Sequence, residues 1–315
     1  MMGDTTEREG TGVLRGSTAF LVLAVLARPR LVGAVLRFAG TVVKRFFFDQ
    51  FVYRARLNAG PGGRFRPAPP IRNIEHPLDA AIPVRYETVG LYLTFVRLWI
   101  SALSYLRRRI GRSFDADIER FLVGLDRCYV DASGVYGRCL STTRRPGRAP
   151  SPRLAFIYAV DPHLFCVPSL HVLVVCYTYR RLEELLRERG DAGRFAAEIA
   201  ELRARAVAIT ESILYVRQHS VNCIPTALAM LSVIVPTYDR TEAKAFLAEL
   251  FVGDEAVSDG DRRAALAYMD GLYDRVAGRA SGERYDAIVD FLDSYEEMPL
   301  VAEGMGSAAI TLSEA

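Results

Sequence analysis

The sequence predicts an all-α fold: a membrane-embedded helical bundle with a basic N-terminal anchor and an acidic helical C-terminal tail. Half of the 315 residues are hydrophobic and 24% are charged, which excludes a disordered or collagen-like chain. Long apolar segments end at arginines, and no strand-like alternation is long enough to predict a sheet. The mean hydropathy of +0.12 fits neither an ordinary soluble protein nor a bundle wholly within lipid, so the individual segments must decide.

Residues 1–58 are predicted to be the anchor. Apolar residues 18–27 follow Arg8 and Arg15, a pattern typical of a signal peptide and also of a first membrane helix. Residues 59–73, rich in Gly and Pro, are predicted to be a linker. The end of the anchor mixes aromatic and basic side chains, as in a helix at the level of the lipid head groups: Phe46, Phe47, Phe48, Phe51, Tyr53, Arg54 and Arg56.

The predicted helical domain, residues 74–236, contains the segments expected to cross the membrane. Residues 89–106 carry one charge and are long enough for a bilayer about 30 Å thick. Residues 164–179 and 207–235 are further candidates, the second as one kinked span or two half-spans. The charged stretch 182–205 predicts a hairpin outside the membrane. With four to six helical segments in the bundle, we expect a multi-pass protein of the bacterial inner membrane.

Charge divides the chain into a basic body and an acidic C-terminal region. Residues 237–315 hold 17 acidic and 7 basic side chains, although the whole chain has a net charge of +3. A basic body fits a membrane surface, a phosphorylated substrate or nucleic acid, and equally the positive loops that flank membrane helices. The arginines flank apolar segments and do not line one polar helix face, so we do not expect a nucleic-acid partner.

The five cysteines form no C-x-x-C pair, and three of them lie in apolar helical context. This pattern favours neither a structural zinc site nor a disulfide framework. We therefore expect no metal and no cofactor.

Two of the four histidines, His171 and His219, lie inside apolar segments. An ionisable side chain at membrane depth is costly and normally faces a wet cavity, so the pair indicates a functional site. A core histidine bonded to a backbone carbonyl is the alternative for either one alone. His171 follows Pro168, Ser169 and Leu170 at a predicted helix start, where free backbone N–H groups favour an anion.

Further polar residues accompany the two histidines. Ser212 precedes His219 by seven residues, which would place both on one helix face. Arg138 and Arg145 lie upstream, and Arg145 is followed by a proline. Two imidazoles, two hydroxyls and two guanidiniums can together bind a phosphoryl group, attack it and protonate its leaving group.

These residues resemble the three motifs of the type 2 phosphatidic acid phosphatase superfamily, K-x6-R-P, P-S-G-H and S-R-x5-H-x3-D. The resemblance covers residues 79–236 and is nearest to the branch with Leu in the middle motif, which includes membrane lipid phosphatases and inositol-phosphorylceramide synthase-like transferases. The element D-x-x-I-P at residues 79–83 is also similar to this branch.

The resemblance implies phosphoryl transfer from a lipid phosphate at a membrane, without a metal. It makes His219 the nucleophile that forms a phosphohistidine and His171 the general acid that protonates the leaving oxygen. The phosphoryl oxygens would be held by Arg138, Arg145, Ser169, Ser212 and the backbone N–H groups near Leu170.

Two positions depart from the family pattern. Ile213 stands where the third motif has arginine, and Cys223 stands where an aspartate would orient the nucleophilic histidine. Arg217, one turn after Ile213, is the candidate for the missing guanidinium, and Glu211 is a candidate for the carboxylate. These departures support a second hypothesis, a catalytically inactive family member that binds anionic lipid or a protein partner.

The other two histidines lie beside prolines in predicted loops. We expect His76 and His163 to be surface or helix-capping residues.

Overall fold

The computed structural model describes residues 16–59, 67–277 and 285–296, and nearly all of its regular structure is helical, as predicted. The helices are α1 (Thr18–Leu26), α2 (Pro29–Thr41), α3 (Asp49–Ala59), α4 (Val89–Tyr92), α5 (Phe95–Ile110), α6 (Asp115–Tyr136), α7 (Pro152–Val160), α8 (Leu170–Glu188), α9 (Ala196–Tyr215), α10 (Cys223–Ile234), α11 (Arg240–Glu249), α12 (Asp259–Ala277) and α13 (Asp286–Asp293). A π-helical segment, Val42–Phe48, joins α2 to α3.

Several helices begin where a short polar side chain caps the first turn. The hydroxyl of Ser169 accepts a hydrogen bond from the backbone N–H of Val172 at the start of α8, and the carboxylate of Asp239 caps α11 in the same way. Gly111 and Gly190, which follow α5 and α8, have φ of +91° and +75°. A side chain at either glycine would strain this backbone, so glycine lets the chain turn there.

Helix α8 forms the centre of the core. Fifteen of its 19 residues are buried, and it packs against α5, α6, α9 and α10. A helix that is apolar on all sides is typical of a protein core as well as of a membrane span. The apolar character of residues 164–179 therefore follows from burial by neighbouring helices.

A two-stranded parallel sheet, which the sequence did not predict, lies close to the start of α8. Its strands are β1 (Ile71–Asn73) and β2 (Leu140–Thr142). Ser141 in β2 also exchanges backbone hydrogen bonds with Leu164 and Cys166. The sheet thus fixes the loop that leads into α8. Residues 60–66 of the predicted linker lie outside the described residues.

The segment 207–235 is divided between two helices. Helix α9 ends at Tyr215, Arg217 has a φ of +54°, and α10 begins at Cys223. Ser212 and His219 therefore do not share a helix face, and the prediction that they do is wrong. The physical reason is the left-handed turn at Arg217, which ends the helical register between them.

Membrane-spanning capacity is limited to few segments. In the described part of the chain, Tyr86–Ile110 is long and apolar enough to cross a bilayer, and Thr18–Leu26 with Pro29–Ala59 would be a second candidate, bent by 118°. This is fewer than the four to six helical segments expected for a membrane bundle, so a multi-pass bundle stays a prediction. The N-terminal candidate exposes many apolar side chains: Val22, Leu23, Leu26, Leu36, Val43, Phe47, Phe48, Phe51 and Leu57.

The C-terminal region is helical, as its periodicity predicts, and it packs on the rest of the protein. Helix α12 lies against α10, and α11 and α13 each contact α12. Arg85 pairs with Asp254 of this region at 2.5 Å, and Asp254 also accepts a hydrogen bond from Tyr215. Residues 297–315 lie outside the described residues.

Candidate functional site

The two histidines that the sequence singles out lie together. The rings of His171 and His219 are 5.5 Å apart between centroids and meet edge to face. His171 is the second residue of α8, whereas His219 lies in the loop between α9 and α10. Two imidazoles separated by 48 positions in the sequence therefore share one buried place next to the N-terminus of α8.

His171 is held between aromatic rings. Tyr92 stacks on its imidazole at 4.2 Å, and Phe95 contacts it at the same centroid distance. Both aromatic residues belong to the helical run Tyr86–Ile110. Burial, aided by the nearby His219, lowers the pKa of His171 well below its usual value. The imidazole is therefore neutral when nothing negative lies beside it.

The element that contains His171 is anchored on three sides. The hydroxyl of Tyr136 donates to the carbonyl of Pro168 at 2.6 Å, and the backbone N–H of Val167 donates to Ser141 Oγ at 2.7 Å. The N–H of Ser169 donates to the carbonyl of Cys223 at the start of α10. These bonds fix the first turn of α8 relative to α6, β2 and α10.

His219 is buried and electrically neutral. Burial lowers its pKa to about 3, opposed in part by a hydrogen bond to the backbone of Cys166 and assisted by the positive charge of Arg145. Its Nδ1 atom is buried and makes no hydrogen bond within the described part of the chain. A neutral imidazole has a lone pair available for attack, and here no carboxylate fixes its tautomer.

The residue four positions after His219 does not replace the missing carboxylate. Cys223 Sγ accepts a hydrogen bond from the backbone N–H of Ser220 at 3.4 Å. Burial raises the pKa of this thiol well above its usual value, so it stays neutral. Glu211 is engaged elsewhere, because its Oε1 accepts a hydrogen bond from the backbone N–H of Phe251.

A small cavity lies between the two imidazoles and the loop before α8. It encloses about 20 Å³, room for about one water molecule. Its wall combines aromatic, aliphatic and polar side chains: Phe46, Tyr92, Asp161, His163, Phe165, Cys166, Leu170, His171 and His219. A phosphoryl group would need this wall to move, and Phe46 is the part of it that the N-terminal region contributes.

His163 is a third histidine at this cavity, and the expectation that it is a surface or capping residue is wrong. It is buried with a φ of +62°, and its Nε2 lies 2.7 Å from the hydroxyl of Thr143. Burial, together with the charge of Arg145, lowers its pKa well below the usual value. No sequence signal marked it apart from its position five residues before Pro168. His76, in contrast, does cap a helical turn, where its Nδ1 accepts from the N–H of Leu78.

Arg145 is the predicted phosphate-binding arginine that the structure places near the cavity. Its two terminal nitrogens bond the side chain and the carbonyl of Asp161, both at 2.8 Å. Its Nε is buried and makes no hydrogen bond to the described residues. The guanidinium is close enough to lower the pKa of His163 and of His219, so its positive charge acts at the cavity.

Three other predicted phosphate ligands are engaged away from the cavity. Arg138 pairs with Asp286 of α13 at 2.7 Å on a partly exposed surface. Ser212 Oγ donates to the carbonyl of Ile209 within α9. Arg217 donates to the carbonyls of Asp79 and Ile82 and thereby fixes a neighbouring loop. Ser169 and Leu170 lie at the start of α8, and Leu170 lines the cavity.

A second cleft is less suited to binding a phosphoryl group than the cavity at the two histidines. A wider cleft of about 420 Å³ lies near the end of α10, but its Arg240 and Asp274 already form a bidentate ion pair. Among the described residues, no group of three or more His, Cys, Asp or Glu side chains is arranged to hold a metal ion.

Comparison of the chain with protein-family models, with curated proteins and with solved structures gives no match.

Proposed function

We propose that this chain is a phosphatase or head-group phosphotransferase that acts on a lipid phosphate through a phosphohistidine at His219, without a metal. The observation that carries the proposal is the meeting of His171 and His219 at a buried cavity beside the N-terminus of α8. The motif resemblance to the type 2 phosphatidic acid phosphatase superfamily supports the same assignment of roles.

The chemistry requires both imidazoles in different protonation states. The neutral His219 attacks phosphorus while the bond from phosphorus to the leaving oxygen breaks, and His171 gives that oxygen a proton. Burial favours the neutral form of His171, so the phosphate itself has to supply the negative charge that raises its pKa. Water or an alcohol then attacks phosphorus and gives its proton to the now neutral His171, while the bond from phosphorus to His219 breaks and phosphate or a phosphate ester leaves.

Charge stabilisation in this scheme comes from donors already present. The backbone N–H groups at the start of α8 that Ser169 does not cap, together with the guanidinium of Arg145, can hold phosphoryl oxygens as negative charge shifts during transfer. Phosphoryl transfer depends mainly on positioning and on such charge stabilisation.

A lipid substrate is favoured by the surroundings of the cavity. Phe46 lines the cavity, and the neighbouring Phe47, Phe48 and Phe51 are exposed on the same N-terminal segment. Exposed aromatic residues next to Lys44 and Arg45 suit an anionic membrane surface. Co-flotation with anionic vesicles that persists in high salt supports this membrane location, and a chain that stays in the soluble fraction contradicts it.

A catalytically inactive protein that binds anionic lipid is the second candidate. Two observations favour it: His219 Nδ1 bonds none of the described residues, and the thiol of Cys223 is neutral, so the imidazole has no orienting carboxylate and is a poor nucleophile. Loss of an orienting carboxylate in a catalytic triad costs about four orders of magnitude in rate.

The test is release of phosphate from a short-chain phosphatidic acid in the presence of EDTA. We expect release by the wild type, none by His219→Gln and little by His171→Gln, with helical content unchanged in both variants. Undiminished release by His219→Gln would refute the proposal. If the wild type transfers phosphate neither to water nor to an added alcohol, the inactive lipid-binding protein is the better account.

A further inference from the structure

The loop that contains His219 is short and irregular, and the ring itself is held by one hydrogen bond, to the backbone of Cys166. The loop runs from residue 216 to residue 222 between α9 and α10. Because His219 Nδ1 makes no hydrogen bond to the described residues, the position of the ring depends on the bond to Cys166 and on the backbone of its own loop. What holds this backbone therefore contributes to where His219 points.

Asn222, the last residue of the loop, is fully buried and uses its whole side-chain amide. Its Nδ2 donates to the carbonyl of Ile74 at 2.8 Å and to the hydroxyl of Tyr295 at 3.0 Å. Its Oδ1 accepts from the hydroxyl of Tyr268 at 2.6 Å. Tyr295 in turn donates to the carbonyl of Glu75 at 2.6 Å. Two tyrosines of the C-terminal region thus hold the end of the loop.

A second chain of contacts connects the same tyrosine to the middle of the loop. The ring of Tyr268 stacks on His76 at 4.0 Å between centroids. The backbone N–H of His76 donates to one carboxylate oxygen of Asp79, and the N–H of Val221 donates to the other at 2.8 Å. Tyr268 therefore supports the loop both through Asn222 and through Asp79.

We infer that Tyr268 and Tyr295 are positioning residues for His219 and that they act through Asn222. The C-terminal acidic region is then part of the active-site framework and not only a solvated tail. Its effect on turnover rests on the proposed function, whereas its effect on the loop does not.

The experiment compares Tyr268→Phe and Tyr295→Phe with Tyr273→Phe in the full chain. Tyr273 is a matched control, because it is buried on the same helix α12 while its hydroxyl lies by Ser232, away from the loop. The first readout is amide hydrogen exchange of residues 218–223, which is measured whether or not the protein is active. The second is the division of any change in phosphate release between kcat and KM.

We expect exchange of residues 218–223 to be roughly tenfold faster or more in Tyr268→Phe and Tyr295→Phe, since the first loses one hydrogen bond and the second loses two. Tyr273→Phe leaves it unchanged. We also expect kcat to fall roughly tenfold or more with KM almost constant, because the tyrosines do not touch substrate. The inference is overturned if the exchange rate of residues 218–223 is unchanged in both test variants. It is also overturned if Tyr273→Phe raises this rate as much as the test variants do. A wild type without turnover contradicts the proposed function, and the exchange comparison still decides the role of the tyrosines.

Discussion

Burial of His219 has a measurable consequence for stability as the pH is lowered. The folded protein holds the pKa of this imidazole at about 3, while the unfolded chain has the ordinary value of about 6.5. Between pH 7 and pH 5 the unfolded state takes up a proton at this position and the folded state does not. Burial of the neutral His219 imidazole leaves the stability of the fold intact above pH 6.5. As the pH falls from 7 to 5, the free energy of unfolding therefore decreases by about 2 kcal/mol through this group.

The measurement pairs chemical denaturation with NMR on wild type and His219→Gln. We expect the wild type to lose about 2 kcal/mol more stability than the variant between pH 7 and pH 5. His163 and His171 also have lowered pKa values and Asp79 has a pKa raised to about 6; burial, the largest cause of all three shifts, is present in both proteins, so these contributions nearly cancel. The labelled imidazole of His219, assigned from its absence in the variant, should not titrate above pH 5. A titration midpoint near 6.5 with equal pH dependence of stability would refute the buried, neutral site.

Two further predictions use matched pairs. We expect Arg145→Gln to lower phosphate release by about 10²-fold or more, because positive charge is lost at the cavity. Arg138→Gln breaks a surface ion pair with a similar aspartate partner, and we expect it to change phosphate release less than about twofold. Equal effects of the two substitutions would contradict the placement of Arg145. In α6, Gly124→Ala should lower the free energy of unfolding by about 1–3 kcal/mol, because the added methyl group would lie 2.1 Å from the buried hydroxyl of Tyr177. Gly134→Ala is the control: its methyl group would meet open space, so the substitution should be neutral or stabilise the protein by up to about 1 kcal/mol. Denaturation midpoints check the pair, and a stabilised Gly124→Ala would contradict the packing of α6 on α8.

The sequence predicts the helices and the histidine pair because these depend on local patterns. Apolar segments that end at arginines mark α5 and α8, and two histidines in apolar surroundings indicate a functional site. His171 and His219 can be predicted to lie close together because the two apolar segments that contain them pack in the same core.

The parts that the sequence does not predict depend on contacts between distant residues. Nothing local indicates that the chain turns at Arg217, which separates Ser212 from His219. Arg138 fits a motif spacing, yet in space it meets Asp286, 148 positions later. Three-residue strands such as β1 are too short for alternation to be recognised.

The sequence also does not predict the contact between the C-terminal region and the loop of His219. The acidic composition of this region suggests a solvated surface, whereas its tyrosine hydroxyls form hydrogen bonds with Asn222 at the end of the loop. A tyrosine on an amphipathic helix gives no sign of its partner when that partner lies 46 residues away.

The most direct test of the central claim is to find the phosphoryl group on His219. Trypsin cleavage after Arg217 and Arg240 gives a peptide, residues 218–240, in which His219 is the only histidine. After brief reaction with a phosphate-labelled short-chain phosphatidic acid and a quench in base, we expect acid-labile label on this peptide in the wild type and none in His219→Gln. Turnover of the lipid with no label on this peptide, or label that persists in His219→Gln, would contradict the account.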